Sequence, residues 1–309
     1  MVGSGPGTVS VVVPTFYRND LLAEAVDSAL AQEAEPVEVV VVDDSGDAHA
    51  EPVVDRYDAV EYVPLPENVG ENRARDAGLE ATSGEYVQFL DDDDLLRPDK
   101  LDRQVPLLDD GTGVVYSGLR YYESGDVLSP DPAARGDVLD AALRFDLWPP
   151  CFTSSLLIDR SVLERVRPLR HHGAGDTTFL IGLARRTEFD YVDAPLVEKR
   201  LGVDSLGFSL ANVRNKRQLL AEHTDLYDRH PDCRATAVTH VNSQEGRVRL
   251  DRFPWSPRAV AAFGRAAYYA PENRSLYVAR FLASLFGRPG FRALGWASNY
   301  VSLAGSGET

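Results

Sequence analysis

Lysine and cysteine are both scarce in this sequence. Three lysines occur among 32 basic residues, whereas aspartate and glutamate total 48 and the formal net charge is −16. Binding nucleic acid through its phosphates requires a basic face, so this balance argues against nucleic acid as a partner. Such an acidic, lysine-poor surface suits a halophilic protein, with an ordinary acidic cytoplasmic protein as the alternative. The two cysteines, Cys151 and Cys233, lack metal-ligand spacing, which predicts a reduced cytoplasmic protein.

Long hydrophobic runs and phosphate-binding loops are also missing. No uninterrupted apolar stretch reaches the roughly 20 residues that a membrane-spanning helix needs. Residues 1–8 do not show the basic and then apolar order of a signal peptide, which again predicts a cytoplasmic chain. The sequence contains neither a dinucleotide-binding fingerprint nor a P-loop. If the protein binds phosphate groups, we therefore expect a metal ion to hold them.

Short β-branched runs alternate with helical patterns in the first hundred residues. The pattern predicts strands at residues 9–14, 37–42, 60–64 and 85–90, and helices at residues 20–32 and 70–81. The first two strands are continuously apolar, which indicates burial on both faces, as in a parallel sheet. This order predicts an α/β fold with a doubly wound sheet.

Polar residues stand at the carboxyl ends of three of these strands. Pro14 and Thr15 end the first strand, Asp44 follows the second, and the four aspartates Asp91–Asp94 follow the fourth. In such sheets ligands bind beyond the carboxyl ends of the strands, so these residues should line one crevice. Crowded carboxylates repel one another unless a cation compensates, which makes the aspartates a candidate site for a hard metal. An acidic cap on the following helix is the alternative.

Four segments resemble the nucleotide-sugar half of family 2 inverting glycosyltransferases with the GT-A fold. They are residues 9–32 (VSVVVPTFYRNDLLAEAVDSALAQ), 39–46 (VVVVDDSG), 68–78 (NVGENRARDAG) and 83–94 (SGEYVQFLDDDD). The resemblance implies a GT-A-type mixed sheet over residues 1–205. Within it, residues 1–110 would be the Rossmann-like nucleotide-sugar-binding half and residues 111–205 the acceptor half. A helical C-terminal region would follow over residues 206–309.

The resemblance implies that five residues bind the nucleotide sugar. Asp44 would accept hydrogen bonds from the base, and Pro14 and Thr15 would line the base pocket. Asp92 would contact the ribose, and Arg75 would lie near the nucleotide. For Arg75, a position on a solvated helix face is the alternative.

The resemblance also assigns the metal site and shows where this chain departs from the family pattern. Asp93, supported by Asp91, would bind Mn²⁺ or Mg²⁺ bridging the diphosphate, and Asp94 would be a helix cap. Tyr17 and Asp76 each stand where the family usually has asparagine. These two departures concern the identity of the base or sugar more than the reaction.

Residues 171–186 (HHGAGDTTFLIGLARR) resemble the family's Gly-Glu-Asp motif and the helix that follows it, although Gly175 stands where glutamate is usual and Gly182 where a basic residue is common. The resemblance makes Asp176 the catalytic base, and a simple helix cap is the alternative. We therefore expect a glycosyltransferase that moves a sugar from a nucleotide-diphosphate donor to an acceptor hydroxyl by a metal-assisted single displacement with inversion. A non-catalytic nucleotide-sugar-binding protein and a metal-dependent nucleotidyltransferase remain alternatives.

The C-terminal part differs from the rest in charge. Residues 247–300 carry nine arginines and two carboxylates, a balance of +7, whereas residues 1–246 have a balance of −22. Arginines interleaved with apolar runs suit helices on an anionic membrane surface. This predicts a peripheral protein on the cytoplasmic face of the membrane and a glycan or polyprenyl-phosphate-linked acceptor. Helices that pack on the acidic body are the alternative.

Overall fold

The computed structural model describes residues 7–34, 37–147, 151–169, 175–200 and 209–293. Residues 171–174, which begin the motif that carries Asp176, lie outside them. The chain divides into two compact units, which are described separately. Unit 1 comprises Met1–Ala142 and Asp146–Asp204, and unit 2 comprises Leu143–Phe145 and Ser205–Thr309.

The described part of unit 1 contains a mixed nine-stranded sheet. Its strands are β1 (Val9–Thr15), β2 (Val37–Asp43), β3 (Val60–Pro64), β4 (Tyr86–Phe89), β5 (Asp94–Leu96), β6 (Thr112–Tyr121), β7 (Val127–Leu128), β8 (Leu157–Asp159) and β9 (Glu188–Lys199). The order is β3-β2-β1-β4-β8-β6-β9-β5, with β7 paired to β6. Strands β1 to β4 are mutually parallel, whereas β8 runs antiparallel to β4. The predicted doubly wound mixed sheet is confirmed.

The helices of unit 1 cover this sheet. They are α1 (Asn19–Leu30), α2 (Glu51–Val54), α3 (Glu71–Ala81), α4 (Lys100–Gln104), α5 (Leu139–Arg144), which continues into unit 2, α6 (Arg160–Glu164) and α7 (Gly175–Ala184). Helix α1 buries Leu22, Ala25, Val26 and Ala29 in the same core cluster as the valines of β1 and β2. Their spacing of three and four residues places them on one helix face, as the sequence pattern predicts.

Helix α3 lies very close to the sheet because Gly78 faces it. A Cβ at Gly78 would stand 2.3 Å from Cγ1 of Val12 and 2.9 Å from Cγ2 of Val42. Any larger residue would push the helix outward. This close contact fixes the depth of Arg75, one turn earlier in the same helix.

The strand register brings the polar strand ends to one edge of the sheet. Thr15 of β1 pairs with Asp43 of β2, and the backbone N–H of Leu90, just after β4, donates to the carbonyl of Val12. The segments that follow β1, β2 and β4 therefore leave the sheet at the same edge. We call this edge the carboxyl rim.

Unit 2 is helical in its described part, which confirms the predicted C-terminal helices. It contains α8 (Leu210–Glu222), α9 (Thr224–Arg229), α10 (Pro231–Arg252), α11 (Pro257–Tyr269) and α12 (Arg274–Ser284). The ring of Phe263 in α11 lies against Gly246 of α10, where a Cβ would come within 2.6 Å of it. Among the residues with described positions, no helix is both long enough and apolar enough to cross a membrane.

Candidate active site

Thr15 and Asp44, two of the predicted nucleotide-binding residues, form hydrogen bonds that fix the ends of β1 and β2. Thr15 donates its hydroxyl to Oδ2 of Asp92 at 2.8 Å, which ties β1 to the aspartate run. Asp44 is buried, and its two carboxylate oxygens accept the backbone N–H groups of Val69 and Gly70 at 2.7 and 2.9 Å. The predicted base-binding carboxylate therefore also fixes the loop that begins α3. Pro14 is buried in β1.

Arg75 is buried and lies between two carboxylates of the site. Its side chain is 3% exposed, which excludes the solvated helix face. The guanidinium donates to Oδ1 of Asp91 at 2.8 Å and to the carboxylate of Glu71, and its Nη1 lies 3.8 Å from Oδ1 of Asp176. It also stands 5.9 Å from the ring centroid of Phe89. Arg75 thus connects the aspartate run after β4 with the predicted base.

Arg18 contacts the predicted ribose and metal residues, and the sequence interpretation did not include it. Its Nη1 lies 3.1 Å from Oδ1 of Asp92 and 2.9 Å from Oδ2 of Asp93, while its side chain is 45% exposed. In the sequence, the signal for this contact is a basic residue three positions after β1. Without the fold, that signal could not be linked to aspartates more than 70 positions away.

The expectation that Asp94 caps a helix is wrong. Asp94 begins β5, which pairs with β9, and α4 starts six residues later at Lys100. Its carboxylate is fully buried, 3.0 Å from Nζ of Lys199, and accepts a hydrogen bond from the hydroxyl of Ser154 at 2.8 Å. The chain turns back into the sheet after the aspartates because the buried residues of β5 pair there with β9.

The predicted base lies at the open side of this group. Asp176 is in the first turn of α7, and its side chain is 52% exposed. It accepts a hydrogen bond from the hydroxyl of Thr153 at 3.3 Å. Because one face is open and the other is held by Thr153 and Arg75, the carboxylate can receive a proton from a bound hydroxyl group.

Carboxylates outnumber cations at the carboxyl rim. Six carboxylates and three cations are joined by ion pairs, namely Glu71, Asp91, Asp92, Asp93, Asp94 and Asp176 with Arg18, Arg75 and Lys199. Burial raises the pKa of Asp92 to about 6, against the opposing hydrogen bond from Thr15. Burial also raises the pKa of Asp94 to about 7, although Lys199 opposes it. The rim therefore has more carboxylates than its own cations can pair, and burial favours the protonated form of Asp92 and Asp94.

The donor atoms of the aspartate run fit a hard divalent cation. Asp91, Asp93 and Asp94 can each offer a carboxylate oxygen, with the three atoms within 4.8 Å of one another. Oxygen ligands of this kind are those that Mg²⁺ and Mn²⁺ prefer. Since Lys199 engages both oxygens of Asp94, Asp91 and Asp93 are the more available pair.

The two departures from the family pattern have different surroundings. Tyr17 has a φ of 55°, and its hydroxyl donates to Asp47 at 2.9 Å, which fixes an exposed ring beside the rim. Asp76 accepts the Nε–H of Arg167 at 3.0 Å and the backbone N–H of Leu169 at 2.8 Å. Asp76 therefore joins α3 to the segment after α6, and Tyr17 is the departure that can affect ligand choice.

Comparison with known proteins identifies the family. Residues 10–167, just over half of the chain, match the model of Glycosyl transferase family 2. The chain belongs to this family. It is 31% identical over 305 aligned residues to an uncharacterized glycosyltransferase of Nostoc sp., covering 89% of this chain and 94% of the relative.

Other relatives of the glycosyltransferase share only part of their length with it. It is 28% identical over 190 residues to the GalNAc(5)-diNAcBac-PP-undecaprenol beta-1,3-glucosyltransferase of Campylobacter jejuni, which covers 59% of this chain and 61% of the relative. The chain spans less than half of the length of several further curated relatives.

Solved structures show the same fold. Residues 1–349 of S. aureus TarS match with a TM-score of 0.62 at 17% identity, covering 92% of this chain and 88% of the other. The mannosyltransferase PcManGT of Pyrobaculum calidifontis, in complex with GDP-Man and Mn²⁺, matches with a TM-score of 0.57 at 22% identity, covering 96% and 86%. The glycosyltransferase thus has the GT-A fold, whose members usually use a divalent cation.

Proposed function

We propose that this glycosyltransferase transfers a sugar, with inversion, from a nucleotide-diphosphate donor to a hydroxyl group of a lipid-linked or surface glycan. The observation that carries the proposal is the position of Arg75. It holds Asp91 of the aspartate run at 2.8 Å and lies 3.8 Å from Asp176, so one buried side chain links a donor-binding candidate to a candidate base. A displacement reaction needs both a donor-binding group and a base, and either group alone would not indicate this reaction.

The nucleotide would bind at the ends of β1 and β2. Pro14 and Thr15 would line the base pocket, and Asp44 would accept a hydrogen bond from the base. Each oxygen of Asp44 accepts one backbone N–H, and a carboxylate oxygen has two lone-pair sites, so acceptor capacity remains. Asp92 would contact the ribose beside Thr15.

Asp93, supported by Asp91, would hold a divalent cation, Mn²⁺ or Mg²⁺. When bound, such an ion offsets the negative charge that develops on the departing diphosphate. Arg18 interacts with Oδ1 of Asp92 and Oδ2 of Asp93, so the second oxygen of Asp93 would be the one offered to the cation while this ion pair is kept.

Asp176 would act on the acceptor. The attacking hydroxyl group loses its proton to the Asp176 carboxylate while its oxygen bonds to the anomeric carbon, and the bond from that carbon to the diphosphate breaks. A single displacement from the opposite face inverts the anomeric configuration. No covalent enzyme intermediate is required, so no nucleophilic serine or cysteine is needed.

Two lines of support concern the acceptor and the place of action. The name of the Campylobacter jejuni relative describes a substrate linked to undecaprenol through a diphosphate. The arginine-rich C-terminal part of this chain suits an anionic surface. We therefore place the enzyme on the cytoplasmic face of the membrane, with a polyprenyl-phosphate-linked glycan as acceptor, and retain the halophilic surface as a prediction.

A donor screen followed by product analysis tests the function. Uridine, guanosine and thymidine diphosphate sugars are compared by thermal shift with Mn²⁺ or Mg²⁺, and the best donor is used with a polyprenyl-linked acceptor. We expect release of nucleoside diphosphate and a product whose anomeric configuration, read by NMR, is inverted. Release of sugar 1-phosphate, with the nucleoside monophosphate transferred to the acceptor, would instead indicate a nucleotidyltransferase, and donor binding without turnover would indicate a non-catalytic binding protein.

The base is tested by Asp176→Asn in the same assay. Losing general base catalysis should lower the transfer rate by about 10²- to 10⁴-fold while donor affinity is kept. Asp193→Asn, which changes an exposed carboxylate of β9, is the matched control and should be fully active. Full transfer activity of Asp176→Asn would show that the base lies elsewhere.

A further inference from the structure

Exposed large hydrophobic side chains are concentrated in unit 2. Of the fourteen that the described residues contain, nine fall between residues 253 and 286, namely Phe253, Trp255, Tyr268, Tyr269, Leu276, Val278, Leu282, Leu285 and Phe286. Isolated exposed apolar residues are ordinary on a protein surface, whereas a grouped set marks an interaction site. This short segment therefore needs a partner.

Backbone and side-chain contacts show that part of this set is contiguous. The indole N–H of Trp255 donates to the carbonyl of Leu285 at 3.1 Å, and the N–H of Arg288 donates to the carbonyl of Pro254 at 2.7 Å. The loop before α11 thus lies against the C-terminal end of α12. On α12, Val278, Leu282 and Leu285 are spaced by four and three residues and share one face.

We name this set the α12 surface. It consists of Phe253, Trp255, Val278, Leu282, Leu285 and Phe286, each between 39% and 75% exposed. Three of its members are aromatic, namely Phe253, Trp255 and Phe286, and tryptophan in particular favours the boundary between apolar and aqueous phases.

The charges in the segment that carries the α12 surface are predominantly positive. Residues 252–293 contain seven arginines and one carboxylate, Glu272. Arg252, Arg258 and Arg274 are exposed, and none of them is paired with a carboxylate in the part of the chain that the structure describes. Arg252 also lies 5.8 Å from the ring centroid of Phe253. Arg252 beside Phe253, and Arg274 four residues before Val278 on α12, therefore add unpaired positive charge next to the apolar side chains.

We propose that the α12 surface docks on an anionic lipid bilayer. The apolar side chains would enter the boundary of the acyl chains, and the arginines would face the anionic headgroups. A second copy of this chain suits the surface less well, because a two-fold contact would bring the arginines of both copies together. The proposal rests on the function proposed above, since a lipid-linked acceptor gives the enzyme a reason to bind a membrane.

Vesicle binding tests the docking surface directly. The full chain is sedimented with phosphatidylcholine vesicles, with or without phosphatidylglycerol, at about 0.1 M salt, where the Debye length is about 10 Å. We expect binding to the anionic vesicles alone. Leu282→Ser/Phe286→Ser should weaken it by at least about tenfold through lost apolar burial, and Arg258→Gln/Arg274→Gln by about tenfold through lost charge.

Matched controls come from unit 1. Tyr122→Ser/Val127→Ser removes two side chains that are 52% and 50% exposed and should leave vesicle binding unchanged. Equal binding by the wild type and Leu282→Ser/Phe286→Ser would overturn the proposal. So would self-association of the wild type, seen in analytical ultracentrifugation and lost in that variant, without vesicle binding.

Donor binding on the same proteins separates this proposal from the proposed function. Calorimetric affinity for the nucleotide-diphosphate donor with Mn²⁺ should be the same for the wild type and both surface variants. If vesicle binding behaves as expected while no protein binds a donor, the docking surface stands and the proposed function fails. If donors bind and the α12 variants bind vesicles like the wild type, the docking surface alone fails.

Discussion

The carboxylates of the two units differ in how many cations they are paired with. At the carboxyl rim of unit 1, six carboxylates share three cations, and the pKa values of Asp92 and Asp94 are raised by burial. Among the described residues of unit 2, Glu245 is the one buried carboxylate, and it faces Arg217, Arg249 and Arg265. Burial alone would raise its pKa, but hydrogen bonds from Arg249 and Arg217 lower it overall.

This difference distinguishes a candidate ligand-binding site from a carboxylate that only stabilises the fold. Glu245 is neutralised by its own neighbours, so its contacts hold the helices of unit 2 together and leave no demand for an external ion. The carboxyl rim has more carboxylates than cations, and raised pKa values such as those of Asp92 and Asp94 are typical of functional sites. Substitutions at the carboxyl rim and at Glu245 test this contrast.

Removing the positive charge of Lys199, which is paired with Asp94, should have the largest effect on stability. Lys199→Met leaves a fully buried carboxylate without its ion pair, which we expect to lower the free energy of unfolding by about 3–5 kcal/mol at pH 8. Burial already favours protonated Asp94, so the loss should shrink towards pH 5, where the carboxylate takes up a proton. Denaturant unfolding at both pH values measures it.

The matched variant for this prediction is Lys199→Met/Asp94→Asn. Because the buried charge is gone, the double variant should recover most of the lost stability at pH 8. A similar loss in the single and double variants would show that packing of Lys199, rather than charge, is responsible.

Removal of a carboxylate from the rim should affect binding more than folding. Asp93→Ala should lower metal-dependent affinity for the nucleotide-diphosphate donor by about 100-fold, because the proposed metal ligand is lost. The effect on folding should be small, since Asp93 is not fully buried. Calorimetry with and without Mn²⁺ measures this effect. Undiminished metal-dependent affinity would contradict the assignment of Asp93, and Asp99→Ala, an aspartate outside the rim, is the control.

Glu245→Gln should lower the free energy of unfolding less than Lys199→Met does. The neutral amide keeps the shape but loses charge, so unfolding should become easier by about 1–2 kcal/mol at pH 7. The pKa of Glu245 is lowered in the fold, so its contribution is present above the unfolded pKa and is lost as the pH falls through the folded value. The wild type and the variant should therefore converge in stability at strongly acidic pH, and a constant difference would contradict the charge argument.

Arg18→Gln should have the smallest effect and the opposite sign. It removes a partly exposed cation that contacts Asp92 and Asp93, so affinity for Mn²⁺ without donor should increase by a few-fold. Arg18→Lys keeps the charge and is the control. Electron paramagnetic resonance of free Mn²⁺ reads the affinity without any turnover. Weaker Mn²⁺ binding by Arg18→Gln would show that Arg18 supports the site rather than competing for it.

Strand and helix positions in the first hundred residues were predictable because their signals are local. The predicted strand at residues 60–64 agrees with Val60–Pro64, and the predicted helix at residues 70–81 agrees with Glu71–Ala81. The stretch after the aspartates was not predictable. A loop leading to a helix and a three-residue strand have the same local pattern, and β5 exists only because β9 lies beside it.

Local sequence patterns were sufficient to predict the parallel half of the sheet, the polar residues at its carboxyl edge and the run of aspartates there. Continuous apolar runs and strand-end residues act within a few positions of one another, so the chain order suffices. The tertiary structure decided how the four aspartates differ. Asp94 pairs with Lys199, 105 positions away, and Asp91 pairs with the buried Arg75. Charges that meet from such distances in sequence can only be matched once the sheet has formed, because the free energy of each carboxylate depends on its burial and on the cation beside it.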